Sequence, residues 1–233
     1  MSSAQQRPQP QADSQNRAKI APAIKSPLAV IVFMLVAAAG LAGDLWSKHY
    51  IFHRLLDEPN LAANANRLYS RLSLEHRDLP QQEIAKDTLD MLSPHTRTVA
   101  GVRLTLSTNP GVVFGLPMPR VMVAVVTVLT AGLVFYFFAA SDRRAWWTQV
   151  AMALLLAGAL GNLYDRLFSC VAIPGSFVPP VRYHVRDFID CGQLGYPYVF
   201  NIADALLVAG VAMLILHWLA TARRESKTAK KKS

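Results

Sequence analysis

Four stretches of this chain, residues 27–43, 121–141, 145–164 and 205–222, contain no charged side chain, and each runs to about 17–21 residues. As helices they would measure roughly 26–32 Å, against a bilayer hydrocarbon core of about 30 Å. A chain built this way is expected to cross a membrane. Its composition agrees: 52% of the 233 residues are hydrophobic, 17% are charged, and the mean hydropathy is +0.25, too apolar for an ordinary soluble domain. The expected fold class is mainly α, a polytopic membrane protein with four transmembrane helices.

Orientation follows from the basic residues. Arg7, Arg17, Lys19 and Lys25 precede the first run, Arg143 and Arg144 fill the turn between the second and third, and Arg223, Arg224, Lys227, Lys230, Lys231 and Lys232 follow the fourth. Set against Asp13, Asp142 and Glu225, they account for the whole net charge of +9. The positive-inside rule then puts both termini in the cytoplasm and the two long connections outside. The basic excess needs no nucleic-acid partner, because anionic membrane lipids suffice. Residues 1–26 read as a disordered cytoplasmic tail, 27–222 as the membrane domain and 223–233 as a basic cytoplasmic tail. Cleavage of the first run as a signal sequence is an alternative, with Ala37, Ala38 and Ala39 near its end.

Between the first two runs, residues 52–98 form a polar outward insertion, in which amphipathic helices are expected at 61–75 and 81–92. A solvated lid or spacer is the simplest role for it. Residues 99–108 alternate as a strand would, with Val102, Leu104 and Leu106 on one face. Cys170 and Cys191 both lie in the second outward loop, where they could pair or remain free thiols. A zinc site from these two and His184 lacks the usual ligand spacing, and Ser176 has no evident base partner.

The chemistry is concentrated where acids and amides meet the membrane. Asp204, in Phe200-Asn201-Ile202-Ala203-Asp204, opens an apolar helix, and an acid there should face protein or do work. Asp187 lies upstream, in a loop short enough to fold back over the helix mouth. The two are expected to meet, share one proton and titrate as a coupled pair. Other polar groups fall at a similar depth. Asp44 and Lys48 sit four residues apart on one helical face beside Trp46; Asn109 and Gly111 occupy a turn before the second run; Asn162, Asp165 and Arg166 share the last turn of the third. Ala153, Ala157 and Gly161 make a small-residue face for tight helix packing.

These stretches, Asp44-Leu-Trp-Ser-Lys48, Asn109-Pro-Gly-Val-Val-Phe-Gly115, Gly158-Ala-Leu-Gly-Asn-Leu-Tyr-Asp-Arg166, Val185-Arg-Asp-Phe-Ile189 and Phe200-Asn-Ile-Ala-Asp204, together resemble the lipoprotein signal peptidases, or signal peptidase II, a family of bacterial intramembrane aspartyl proteases. The resemblance implies that Asp187 and Asp204 are the catalytic pair and that Asp165 and Asp190 are not. It implies supporting or substrate-contacting roles for Asp44, Lys48, Asn109, Asn162, Arg166 and Asn201, with Gly111 and Asp165 counted beside them. It implies a small outward β-layer and a loop helix sheltering the site. The substrate it implies is a prolipoprotein carrying diacylglyceryl on a cysteine and cut just before it, in the bacterial inner membrane. An acid pair that activates water needs no metal or other cofactor, and a monomer is expected. Two features depart from the family pattern: the long insertion at 52–98, and Val112-Val113 where a smaller residue is common. A proton- or cation-coupled transporter would also use paired acids, but its polar groups would gather at the midplane. A non-catalytic scaffold would explain the spans but not the converging acids and amides.

Overall fold

A computed structural model describes residues 21–92, 98, 100–111 and 119–232. The expected Val112-Val113 departure and residues 1–20 of the amino tail lie outside these. Among the described residues, four helices are long and apolar enough to cross a membrane: α1 (Pro27–Leu56), α4 (Arg120–Ala140), α5 (Trp146–Phe168) and α6 (Ile202–Lys232). Two more, α2 (Leu61–Glu75) and α3 (Gln81–Met91), lie in the insertion, where their amphipathic patterns put them.

Helix α1 begins with Ser26, whose hydroxyl accepts the Ala29 N–H, followed by Pro27 at the first helical position. It does not close at Gly43. It continues through Asp44 and Lys48 to Leu56, and its 30 residues make about 45 Å, longer than a hydrocarbon core of about 30 Å. Helix α6 is equally long at its other end, continuing as helix through Lys232 where a tail was expected. Residues 21–26, expected with the disordered tail, instead dock on the α4–α5 turn. Ala23 N–H donates to the Ser141 carbonyl at 2.8 Å, and Arg143 N–H to the Ala21 carbonyl at 2.9 Å.

Helix α5 is the centre of the membrane bundle. On one side, Ala153 packs in a cluster with Phe33 of α1 and Phe138 of α4. On the other, α6 comes so close to Gly158 that a Cβ there would lie 2.5 Å from the Ala203 carbonyl oxygen and 2.7 Å from Leu207 Cγ. The expected small-residue face therefore serves α1 and α4 as well as α6, with Gly158 added to it.

Outside the membrane, strands β1 (Arg103–Asn109), β4 (Val185–Asp190) and β5 (Val199–Phe200) form an antiparallel sheet in the order β1-β4-β5. Ser107 pairs with Asp187, Asn109 with Val185 and Ile189 with Phe200. A register shift between Leu104 and Ser107 breaks the simple alternation expected for 99–108, and the strand starts at Arg103, beyond Val102. Strands β2 (Cys170–Val171) and β3 (Val181–Arg182) pair separately. The insertion is no loose spacer. Phe52, Leu55, Leu61, Ala65, Ala85 and Leu89 share one core with Leu106, Val171, Val181 and Phe188, with α3 against β1 and β3 and the end of α1 against β4, the strand that carries Asp187. Cys170 and Cys191 are both free.

Candidate active site

The first turn of an α-helix leaves four backbone N–H groups without helical partners. At the start of α6 the side chains of Asn201, Asp204 and Asp44 answer them. Asn201 Oδ1 accepts the Asp204 N–H at 3.0 Å, and Asp204 Oδ2 accepts the Asn201 N–H at 3.2 Å. This is a reciprocal capping box, and its Asn-x-x-Asp pattern was readable in the sequence. Asp44 of α1 reaches across to accept the Ala203 N–H at 2.8 Å. Asp204 is therefore held at the helix mouth by its own backbone and by the residue three positions before it.

Strand β4 brings Asp187 to the same place, through two amides. Asn201 Nδ2 donates to Asp187 Oδ1 at 2.6 Å and to Asn162 Oδ1 at 3.1 Å. Asn162 Nδ2 donates in turn to Asp204 Oδ1 at 2.7 Å. The two acids thus stand at the ends of one hydrogen-bonded chain running Asp187, Asn201, Asn162, Asp204. Asp187 is almost fully buried and Asp204 partly so. Burial, reinforced by the nearby Asp204 charge, pushes the Asp187 carboxyl up to about 7 against the Asn201 hydrogen bond and the Lys48 charge.

Behind this pair lies a buried ionic cluster. Lys48 Nζ sits 2.8 Å from Asp44, 3.3 Å from Asp165 and 3.1 Å from Asn162 Oδ1. Lys48, Asp44 and Asp165 are completely buried, whereas Trp46 is exposed and stacks on Tyr50. The expected Asp44–Lys48 pair forms, but inside the protein rather than at its lipid surface. Asp165 does not pair with its neighbour Arg166. Its carboxylate takes Arg186 in a fork, Nη2 at 2.6 Å and Nε at 3.0 Å, and also accepts the Arg186 backbone N–H at 3.0 Å. Sequence reasoning passed over Arg186, although it stands beside Asp187. By this clamp α5 fixes the strand that carries the acid.

Arg166 stays out of that cluster: its Nη1 donates to the Asn162 backbone carbonyl at 3.2 Å, and its guanidinium lies in the field of Asp187 and Asp204 without pairing with either. Residues adjacent on a helix project about 100° apart, so one turn sends Asp165 into the cluster and Arg166 elsewhere. Gly111 supplies the room: its backbone has φ +95, and a Cβ built on it would lie 3.5 Å from Arg166 Nε. The site holds four acids, Asp44, Asp165, Asp187 and Asp204, and three bases, Lys48, Arg166 and Arg186. One proton shared by Asp187 and Asp204 makes it neutral. Asp190, by contrast, lies at the sheet's far end paired with Arg103. Ser176 donates to Asn66 Oδ1 at 2.6 Å, and among the described residues no three of His, Cys, Asp and Glu converge as metal ligands.

A groove of about 500 Å³ leads to Arg166 between α4 and α5, lined by Val121, Val125, Leu129, Leu163 and Tyr183. Surrounding side chains of α4, including Met122, Val126 and Leu133, are exposed. The groove opens toward the lipid-facing side of the bundle.

A family model described as Signal peptidase (SPase) II matches residues 36–220. Proteins named lipoprotein signal peptidase are similar in sequence. That of Desulfitobacterium hafniense is 36% identical over 127 residues, 54% of this chain and 74% of that protein. That of Mycobacterium tuberculosis is 33% identical over 165 residues, 68% and 75% of the two chains, and that of an Anaeromyxobacter species 29% identical over 208 residues, 84% and 86%. A solved bacterial membrane enzyme shares the fold, with a TM-score of 0.54 at 22% identity over 82% of this chain and 89% of that one.

Proposed function

The chain belongs to the signal peptidase II family, and from that premise we propose that it is an aspartyl endopeptidase whose catalytic pair is Asp187 and Asp204. It is a multi-pass membrane protease that removes signal peptides from prolipoproteins. The reading of its mechanism rests on one observation: two asparagine amides tie the two carboxyl groups together at the mouth of α6.

Burial of Asp187 and the charge of Asp204 together oppose ionisation of both carboxyl groups, so the resting pair holds one proton, carried by Asp187. The Asp204 carboxylate takes a proton from water as the water oxygen attacks the scissile carbonyl carbon. Asp187 gives its proton to the carbonyl oxygen, and a neutral gem-diol results. Collapse then returns a diol proton to Asp187 while the carbon–nitrogen bond breaks and Asp204 protonates the leaving amine. The pair ends as it began. Arg166, whose guanidinium lies in the field of both acids, steadies the charge that develops on oxygen and on the two carboxylates. Lys48, Asp44, Asp165 and Arg186 hold the elements that carry the pair.

The substrate is a prolipoprotein with diacylglyceryl on a cysteine, cut just before it. Its acyl chains fit the apolar groove between α4 and α5, which ends at Arg166. The enzyme works as a monomer in the bacterial inner membrane, with both termini cytoplasmic and the acids near the outer surface. Asp187→Asn and Asp204→Asn, each purified and given a diacylglyceryl prolipoprotein, are expected to lose cleavage by at least about 10²–10⁴-fold while remaining folded. Near-parental turnover by either variant overturns the assignment.

A further inference from the structure

Between the insertion and the catalytic sheet, one carboxylate makes a hydrogen bond that bears on the site. Strand β1 lies at the edge of the sheet, with β4 on one side and α3 against it. From α3, Asp90 Oδ1 accepts the Thr108 backbone N–H at 3.1 Å, while its Oδ2 is held by Lys86 Nζ at 2.8 Å. Outward N–H groups of an edge strand are open to other partners; here a helix from a separate part of the chain supplies one.

The next residue along is Asn109. Ser107 pairs with Asp187 and Asn109 with Val185, so Asn109 is the diagonal neighbour of Asp187 on the same face of the sheet; its Oδ1 accepts the Gly111 N–H at 2.9 Å, which leaves the Nδ2 hydrogens for the Asp187 carboxyl. We propose that Asp90 is a positioning residue for the peptidase reaction, fixing the end of β1 so that the Asn109 amide stays on the Asp187 carboxyl. The inference rests on the reading of Asp187 as catalytic. It gives the insertion a part in the chemistry, delivered through one backbone hydrogen bond.

The groups that bear on the titration of Asp187 are Asp204 from α6, Arg166 from α5 and Lys48 from α1, with the Asn201 and Asn109 amides. Those around Asp90 are Lys86 and Asp87 on its own helix, and Lys86 also faces His184 between β3 and β4. Catalysis needs the proton on Asp187, so kcat/KM of the parent falls as pH rises through about 7. An amide donor stabilises the ionised carboxylate. Losing it keeps the proton on Asp187 to higher pH.

The test is the pH profile of kcat/KM for the full-length protein in lipid, with a diacylglyceryl prolipopeptide as substrate. Asp90→Ala is expected to move the alkaline limb about 0.5–1 pH unit higher. Asn109→Ala alone moves it in the same direction, and the double variant moves it no further than Asn109→Ala does. Asp90→Asn, which keeps an acceptor for the Thr108 N–H, restores the parental limb. Should Asp90→Ala fail to fold, Asp90→Glu, which keeps the charge and displaces the acceptor, is read in the same way. An unmoved limb in the folded variant, whatever its kcat or Tm, overturns the proposal, as do additive shifts in the double variant. Asp187→Asn run alongside separates the two readings. Cleavage surviving there defeats the catalytic assignment; cleavage lost there, with an unmoved limb in Asp90→Ala, defeats only the positioning role.

Discussion

Lys48 is completely buried, and an ammonium so placed costs several kcal/mol unless partners replace its water. Asp44, Asp165 and the Asn162 carbonyl oxygen do so, each from within 3.3 Å. Asp187 shows the opposite behaviour: with its carboxyl at about 7 against an ordinary value of about 3.9, the folded protein holds a proton that the unfolded chain releases. Between those values stability falls as pH rises, and above about 7 the loss is complete. The amide in an Asp187→Asn variant has nothing to ionise. That variant should therefore unfold at a higher temperature than the parent near about pH 8, with the gap closing toward about pH 4; a gap that is equal at both pH values contradicts the buried, protonated carboxyl. Both acids were legible in the sequence, because Asp204 interrupts an apolar run and Asp187 lies in the short segment leading back to it. Arg186 as the partner of Asp165 was not. An adjacent Arg166 looked sufficient, and only the turn of the helix separates the two.

At the level of elements, the crossing of α5 and α6 sets where Asp204 stands. Gly158 lies against the Ala203 carbonyl, one residue from the acid. A Cβ there meets backbone, which cannot rotate aside. Gly158→Ala should push the helices apart, destabilise the protein by about 1–3 kcal/mol and lower turnover, as read by thermal unfolding and cleavage in the same preparation. Gly132→Ala, where a Cβ meets nothing within 4 Å, should change neither. Parental turnover in Gly158→Ala would show that the crossing tolerates slack. The amphipathic helices α2 and α3 were readable because their apolar residues recur with helical period. The full length of α1 was not, because Asp44 and Lys48 look like the end of a membrane span until α5 supplies their partners. Strands β2, β3 and β5 have two residues each, too few to show a period of two.

For the whole molecule, the number of spans was set by hydropathy and the expected orientation by the placement of Lys and Arg. The packing of the insertion could not be read, because its partners come from β1 and from the continuous stretch after α5 that ends in β4, two segments far apart in the chain. The proposed orientation puts Cys170, an exposed free thiol, outside the cell membrane. A membrane-impermeant maleimide should label it in intact spheroplasts, and inside-out vesicles should protect it. The reverse pattern would turn the protein over. Helix α1 runs unbroken for 30 residues from Pro27 to the insertion's core, where Phe52 and Leu55 are lodged. A continuous rod of this kind has no hinge. With the insertion fixed to that rod, the groove between α4 and α5 is the way in that the proposed function gives a lipid-bearing chain, which would slide in from the bilayer and leave its anchored product to withdraw by the same door.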